Sequence, residues 1–135
     1  MTALKETVDF YNRNGYVKVS SFLTPEEVET MKKDVSRILN ETDVANPGRV
    51  EKLTGTQYHI DSITKSCLWF ESSAIDEKTG RVNVPIERAV HKIAHGVHLN
   101  SKVAHAATFS EKMKSMVRAV SQFEDPAVIQ GKFNL

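Results

Sequence analysis

Two histidine patterns in this sequence have the residue types and spacing for metal chemistry. His59-Ile60-Asp61 is an H-x-D triplet. On a rigid strand its imidazole and carboxylate would project the same way, and with a distant second histidine they could hold one face of a ferrous ion. His91, His95 and His98 make the second pattern, with offsets of four and three that share one face of a helix, as zinc ligands do. Each pattern also has a plainer reading. The stretch Thr54-Gly55-Thr56-Gln57-Tyr58 before the triplet reads as an irregular or edge segment, where His59 and Asp61 would be surface hydrogen-bonding groups. Val90, Ile93 and Val97 run beside the second set, so that face packs and its imidazole tips are satisfied by neighbours. Neither H-E-x-x-H nor a cysteine pair accompanies them. We therefore assign no metal ligand and no catalytic residue from these patterns.

Other chemistries leave no trace. The sequence has no G-x-x-x-x-G-K-[ST], no G-x-G-x-x-G and no G-x-S-x-G. Cys67 sits in an apolar run and reads as a packed thiol. The chain of 135 residues has one-domain length, and its 18 basic and 17 acidic residues give a formal net charge of +1. Without a basic stripe, neither nucleic acid nor an anionic membrane has support as a partner. One cysteine excludes an internal disulfide framework and suits a reducing compartment. Charges in MTALKETVDFY argue against a signal peptide, and no run is long and apolar enough to span a bilayer. The expectation is a soluble, intracellular chain, with cytoplasm and peroxisome both open.

The elements that must position these residues follow from periodicity. Leu4, Val8 and Tyr11 predict a helix over about Ala3 to Asn14, stopped by Gly15. Tyr16 to Val19 alternates as a short strand. Thr24-Pro25-Glu26-Glu27 is a helix start with a capping box, followed by an apolar stripe of Val28, Met31, Val35 and Ile38 that ends near Asn40 to Asp43. Asn46-Pro47-Gly48 breaks the chain. Tyr58 to Ile60 and Cys67 to Phe70 read as strands, Asp76 to Gly80 as a turn with Val82 and Val84 pairing back. Pro85 opens a helix through about His98. Ser101 and Ser110 cap two more helices, the last with Met113, Met116, Val117 and Val120 inward. Pro126 to Leu135 then has the character of a strand.

These pieces in this order resemble the phytanoyl-CoA dioxygenase family. The opening FYNRNGYVKVSSFLTPEEVETMKKDVSRIL, then LWFE, AIDEKTG and VPIERAVHKIAHGVH, follow its N-terminal and middle regions. The family's "KIGHALH" reads here as Lys92 to His98, with Ala94 replacing the usual glycine. The resemblance implies an Fe(II)- and 2-oxoglutarate-dependent dioxygenase on a double-stranded β-helix, or jelly roll, that hydroxylates a C–H bond of a small, acyl-CoA or lipid-like substrate.

By the same resemblance PAVIQGKFNL matches an early barrel strand, with the iron-binding H-x-D, the last histidine and the basic clamp expected beyond Leu135. Residues 1–135 are thus expected to be the N-terminal part of one domain. The expected fold is a mostly helical α+β segment with the barrel largely absent, binding neither cofactor and inactive alone. Two positions are expected near 2-oxoglutarate: Arg88, where some relatives carry a basic residue, and Lys132, at a pocket-lining position. The alternative is a non-catalytic interaction or regulatory protein that self-associates through an apolar face left uncovered.

Overall fold

Thr24 and Glu27 start a helix by local chemistry. The Thr24 hydroxyl accepts the Glu27 N–H at 3.2 Å, and the Glu27 carboxylate accepts the Thr24 N–H at 2.8 Å. This reciprocal pair satisfies two amides that a first turn leaves without partners. In the computed structural model, which describes residues 2–41 and 56–135, the helix runs over Pro25–Glu41 (α2). Ahead of it lies Thr2–Asn14 (α1), closed by Gly15 at φ 76°, whose N–H reaches the Tyr11 carbonyl at 2.8 Å. The chain continues as α3 (Thr56–Ser62), β1 (Ser66–Phe70), a short 3-10 turn (Ser72–Ala74) and α4 (Ile86–Ala89). Then come β2 (Val90–His95), α5 (Val97–Asn100), α6 (Lys102–Thr108), α7 (Glu111–Ser121) and β3 (Gly131–Asn134).

The three strands form one open antiparallel sheet in the order β1-β2-β3. Leu68, Ile93 and Phe133 stand opposite one another across it, on the face that packs against the helices. Leu39 of α2, Val90, Val97 and Ala104 complete the buried cluster, and Ile93 is wholly inaccessible. The architecture is a small open sheet with helices packed on its core face and α3 beside Trp69 on the other; among the described residues there is no closed barrel.

Several local readings hold. Ser101 accepts the Ala104 N–H at 2.9 Å and Ser110 the Met113 N–H at 3.3 Å, so both serines cap their helices. One Asp76 oxygen takes the N–H groups of Lys78 and Thr79, which fixes the turn and lets Ile75 bridge Val82. Other readings are corrected. The predicted helix from Pro85 to His98 is one turn, Ile86–Ala89, followed by a strand. Val90 and Ile93 have helical spacing, but both are buried and β-prone, and pairing with β1 decides their state. Tyr58 to Ile60 is helical, not a strand. Tyr16 to Val19 forms no strand; Tyr16 is 65% exposed and stacks edge-on against Phe10 at 5.6 Å. Val128 and Ile129 precede β3 and are exposed. The expected break at Asn46-Pro47-Gly48 lies outside the described residues.

A polar knot joins α2 to the start of α6. Asp34 is 7% exposed, accepts the Ser101 hydroxyl through Oδ2, and accepts Arg37 Nη2 at 2.7 Å through Oδ1. Ser101 thus donates to α2 while its oxygen caps α6. Asp34→Ala removes the acceptor for a buried hydroxyl and should cost about 2 kcal/mol. Urea unfolding measures it, and a cost no larger than that of exposed Glu29→Ala would disprove the coupling. At the other end of α2, Lys112 of α7 donates to the Glu27 carboxylate and to the Phe22 carbonyl, the latter at 3.1 Å.

Candidate functional site

The sheet face opposite the buried cluster, with α3 against it, carries the polar chemistry. Alternation puts Trp69, Lys92 and Asn134 there, together with Cys67, Ala94 and Lys132, because these are cross-strand partners offset by one from the core row. Lys92 Nζ lies over the Trp69 ring, 4.5 Å from its centroid. Tyr58, His59 and His95 surround the same indole edge-on, with centroids 5.3, 4.5 and 5.7 Å away. Tyr58 is locked by its hydroxyl, which donates to the Leu68 carbonyl at 2.5 Å. The indole N–H is buried with no hydrogen-bond partner.

His95 is oriented by Ser62. The Ser62 hydroxyl donates to the His59 carbonyl at 2.7 Å, and its oxygen lies 2.8 Å from His95 Nδ1. A carbonyl only accepts, so the single hydroxyl proton is spent there and His95 Nδ1–H must be the donor to Ser62. The lone pair is left on Nε2. Burial, and then the charges of Lys92, His59 and Lys132, hold the His95 pKa below the ordinary imidazole value.

A pH dependence follows. As acid is added the unfolded chain takes up this proton first, near the ordinary value of about 6.5. The stability contributed by neutral His95 is therefore present in full above that pH and lost as pH falls through the lower folded value. His95→Gln should flatten this part of the stability–pH curve; urea midpoints measured across it provide the check, and an unchanged slope would exclude His95 as the source.

The sequence patterns fare differently in space. On α3, residues two apart point to opposite sides of the helix. His59 turns to Trp69, whereas Asp61 accepts Gln57 at 2.8 Å and Lys65 at 3.2 Å, so the H-x-D does not converge. His91, His95 and His98 share no helix face: the first two lie on β2 and the third on α5. His91 Nδ1 stands 4.0 Å from Glu71, and His98 is buried. Among the described residues no three His, Cys, Asp or Glu side chains are grouped to hold a metal ion.

Lys132 lies opposite Ala94 and bears on His95, as does Lys92, which the sequence reading passed over. Arg88 is exposed on α4, one turn before β2, and is not among the charges acting on His95. Lys92 becomes legible once VHKIAH is taken as a strand, since it then shares a face with Lys132.

The fold is a mixed one, an open antiparallel sheet with a helix-packed core on one face and a lysine-lined, aromatic face on the other. Comparison with known proteins identifies the family. Residues 11–132 match the family described as phytanoyl-CoA dioxygenase (PhyH), and the chain belongs to that family. It is 30% identical to a phytanoyl-CoA dioxygenase domain-containing protein 1 homolog of Caenorhabditis elegans, over 91% of this chain and 44% of the relative. It is 29% identical to phytanoyl-CoA dioxygenase domain-containing protein 1 of Rattus norvegicus, over 91% of this chain and 45% of the relative. With phytanoyl-CoA dioxygenase of Arabidopsis thaliana the identity is 24%, over 95% and 46%. The chain thus spans less than half the length of these relatives. No helix among the described residues is long and apolar enough to cross a membrane.

Family membership implies Fe(II), which needs two histidines and a carboxylate on one side of the ion. The described residues do not fit that requirement, and no step through iron is derived from them. For a dicarboxylate they do fit: two ammonium groups and an unpartnered buried indole N–H occupy one face.

Proposed function

We propose that this chain supplies the helical support and one wall of the 2-oxoglutarate pocket in a jelly-roll, Fe(II)-dependent dioxygenase acting as a hydroxylase. The observation that carries the reading is the lysine-lined sheet face within a chain matched to the family over residues 11–132. When bound, 2-oxoglutarate would supply two of the four electrons that reduce oxygen as it is decarboxylated to succinate, the substrate C–H bond supplying the other two. What this chain's residues do is bind and orient. Lys92, held over Trp69, and Lys132 attract the carboxylates, with Arg88 as a third cation at the start of β2. Trp69, Tyr58 and His59 wall off water on that side. The substrate is a small molecule of acyl-CoA or lipid-like character, and the chain by itself does not turn over.

Equilibrium dialysis with labelled 2-oxoglutarate tests the wall, and uptake by these 135 residues would revise the expectation that they bind neither cofactor. Lys92→Ala and Lys132→Ala should each weaken binding about tenfold, the value of one lost charged hydrogen bond, with Arg88→Ala the smallest of the three. Affinity unchanged in both lysine variants would refute the pocket. Succinate production by the 135-residue chain supplied with ferrous ion would refute its inactivity.

A second reading, a non-catalytic interaction protein, draws on one observation. Ile129 is 90% exposed beside the outer edge of β3, which pairs only with β2 among the described residues. A second copy pairing at that edge would appear as a concentration-dependent dimer in sedimentation, abolished by Asn134→Pro, which removes an N–H on the side of β3 away from β2. A monomer at all concentrations would dismiss it.

A further inference from the structure

Beside β3, bounded by the core side chains Phe133 and Val97 and reaching Lys132 at its rim, lies a cavity of ≈ 230 Å³. Phe22, Met31, Met113 and Phe133 supply apolar walls, and His98 and Gly131 complete it. His98 is only 4% exposed, and its Nδ1 is buried without a hydrogen-bond partner. Leaving such a nitrogen unpaired costs about 1–3 kcal/mol, so native proteins rarely do it without a ligand or water in place. Gly131 keeps it uncovered: a Cβ there would lie 3.0 Å from Nδ1 and 3.3 Å from the His98 Cβ. The His98 backbone is not at fault, since its carbonyl faces His105 Nδ1 at 3.0 Å.

We propose that this cavity binds a small apolar molecule carrying one neutral hydroxyl, which hydrogen-bonds to His98 Nδ1 while its body fills the methionine- and phenylalanine-lined space. The chemistry selects the head group. A hydroxyl both donates and accepts, and so matches either imidazole tautomer. A carboxylate would need a free buried cation to offset its desolvation; Lys132 at the cavity is exposed, and Lys112, over the Phe22 ring, is already paired with Glu27. The size is adequate: an engineered apolar cavity of about 150 Å³ takes up benzene. Methionines adapt their shape to such guests.

Phenol and toluene, which differ by the hydroxyl, are the probes. Titrated into the full chain, phenol should shift the His98 ring and the Met31 and Met113 methyl resonances and bind about fivefold to tenfold more tightly than toluene, the effect of one buried hydrogen bond. Gly131→Ala, which places a methyl against Nδ1, should reduce phenol to the toluene level. His98→Phe keeps the ring and removes the nitrogen, so it carries the same test if the alanine variant does not fold. Equal affinity for the two probes, binding of neither, or a phenol preference that survives His98→Phe overturns the proposal.

Discussion

Gly96→Ala should cost about 3 kcal/mol or more, because the added methyl has nowhere to go. A Cβ on Gly96 would stand 2.6 Å from the Thr64 carbonyl carbon and 2.7 Å from the Lys65 nitrogen. Both are backbone atoms, and no rotamer change removes them. The backbone angle is not the obstacle, since Gly96 has φ −86° and ψ 24°, which any residue adopts. What matters is the crossing itself. The Gly96 N–H donates to the Lys65 carbonyl at 3.1 Å, and the Asn100 side chain donates to the Thr64 carbonyl at 2.8 Å. These bonds draw the segment between α3 and β1 onto the end of β2, where Ser62 meets His95. The methyl must therefore push apart the contact that orients His95 as well as the sheet. Urea unfolding gives the loss of stability, and Gly80→Ala is the control: Gly80 has nothing within 4 Å of its Cβ position, and only its φ of 66° resists the change. A Gly96→Ala chain no less stable than Gly80→Ala would show that the crossing yields easily.

Ile93→Ala is the second large effect, at about 3–4 kcal/mol. Ile93 has no exposed surface, sits between Leu68 and Phe133 across the sheet, and faces the cluster that includes Leu39 and Val97. Removing three of its carbons opens a hole between two strands that backbone hydrogen bonds hold at fixed spacing, so little collapse can fill it. Ile93→Val should cost about 1 kcal/mol by the same reasoning. The urea midpoints of the two variants should differ accordingly; equal losses would mean that strand propensity rather than packing is being measured.

Local chemistry was readable from the sequence, and long-range pairing was not. Thr24, Ser101, Ser110 and Asp76 each act on groups two or three residues away, and each was found at its place. The order of motifs likewise carried the family. Val90 and Ile93 misled because with Val97 their spacing satisfies a helix, while the strand those two belong to is set by Ser66 to Phe70, twenty or more residues back. Asp34 belongs to no motif that marks it as buried; its partner Ser101 is 67 residues on. Ser62 and His95 are 33 residues apart and belong to no short motif. His59 and Asp61 failed as a pair for a simpler reason, a helix where a strand was expected.

Trp69 is the only tryptophan in the chain. Its indole is touched by a lysine, a tyrosine and two histidines on the face proposed to receive a dicarboxylate. Indole emission from this protein, excited at wavelengths its three tyrosines do not absorb, therefore originates at a single known place, and protonated imidazole quenches such emission. The polypeptide carries its own optical gauge of titration and occupancy there, readable in dilute solution without any label.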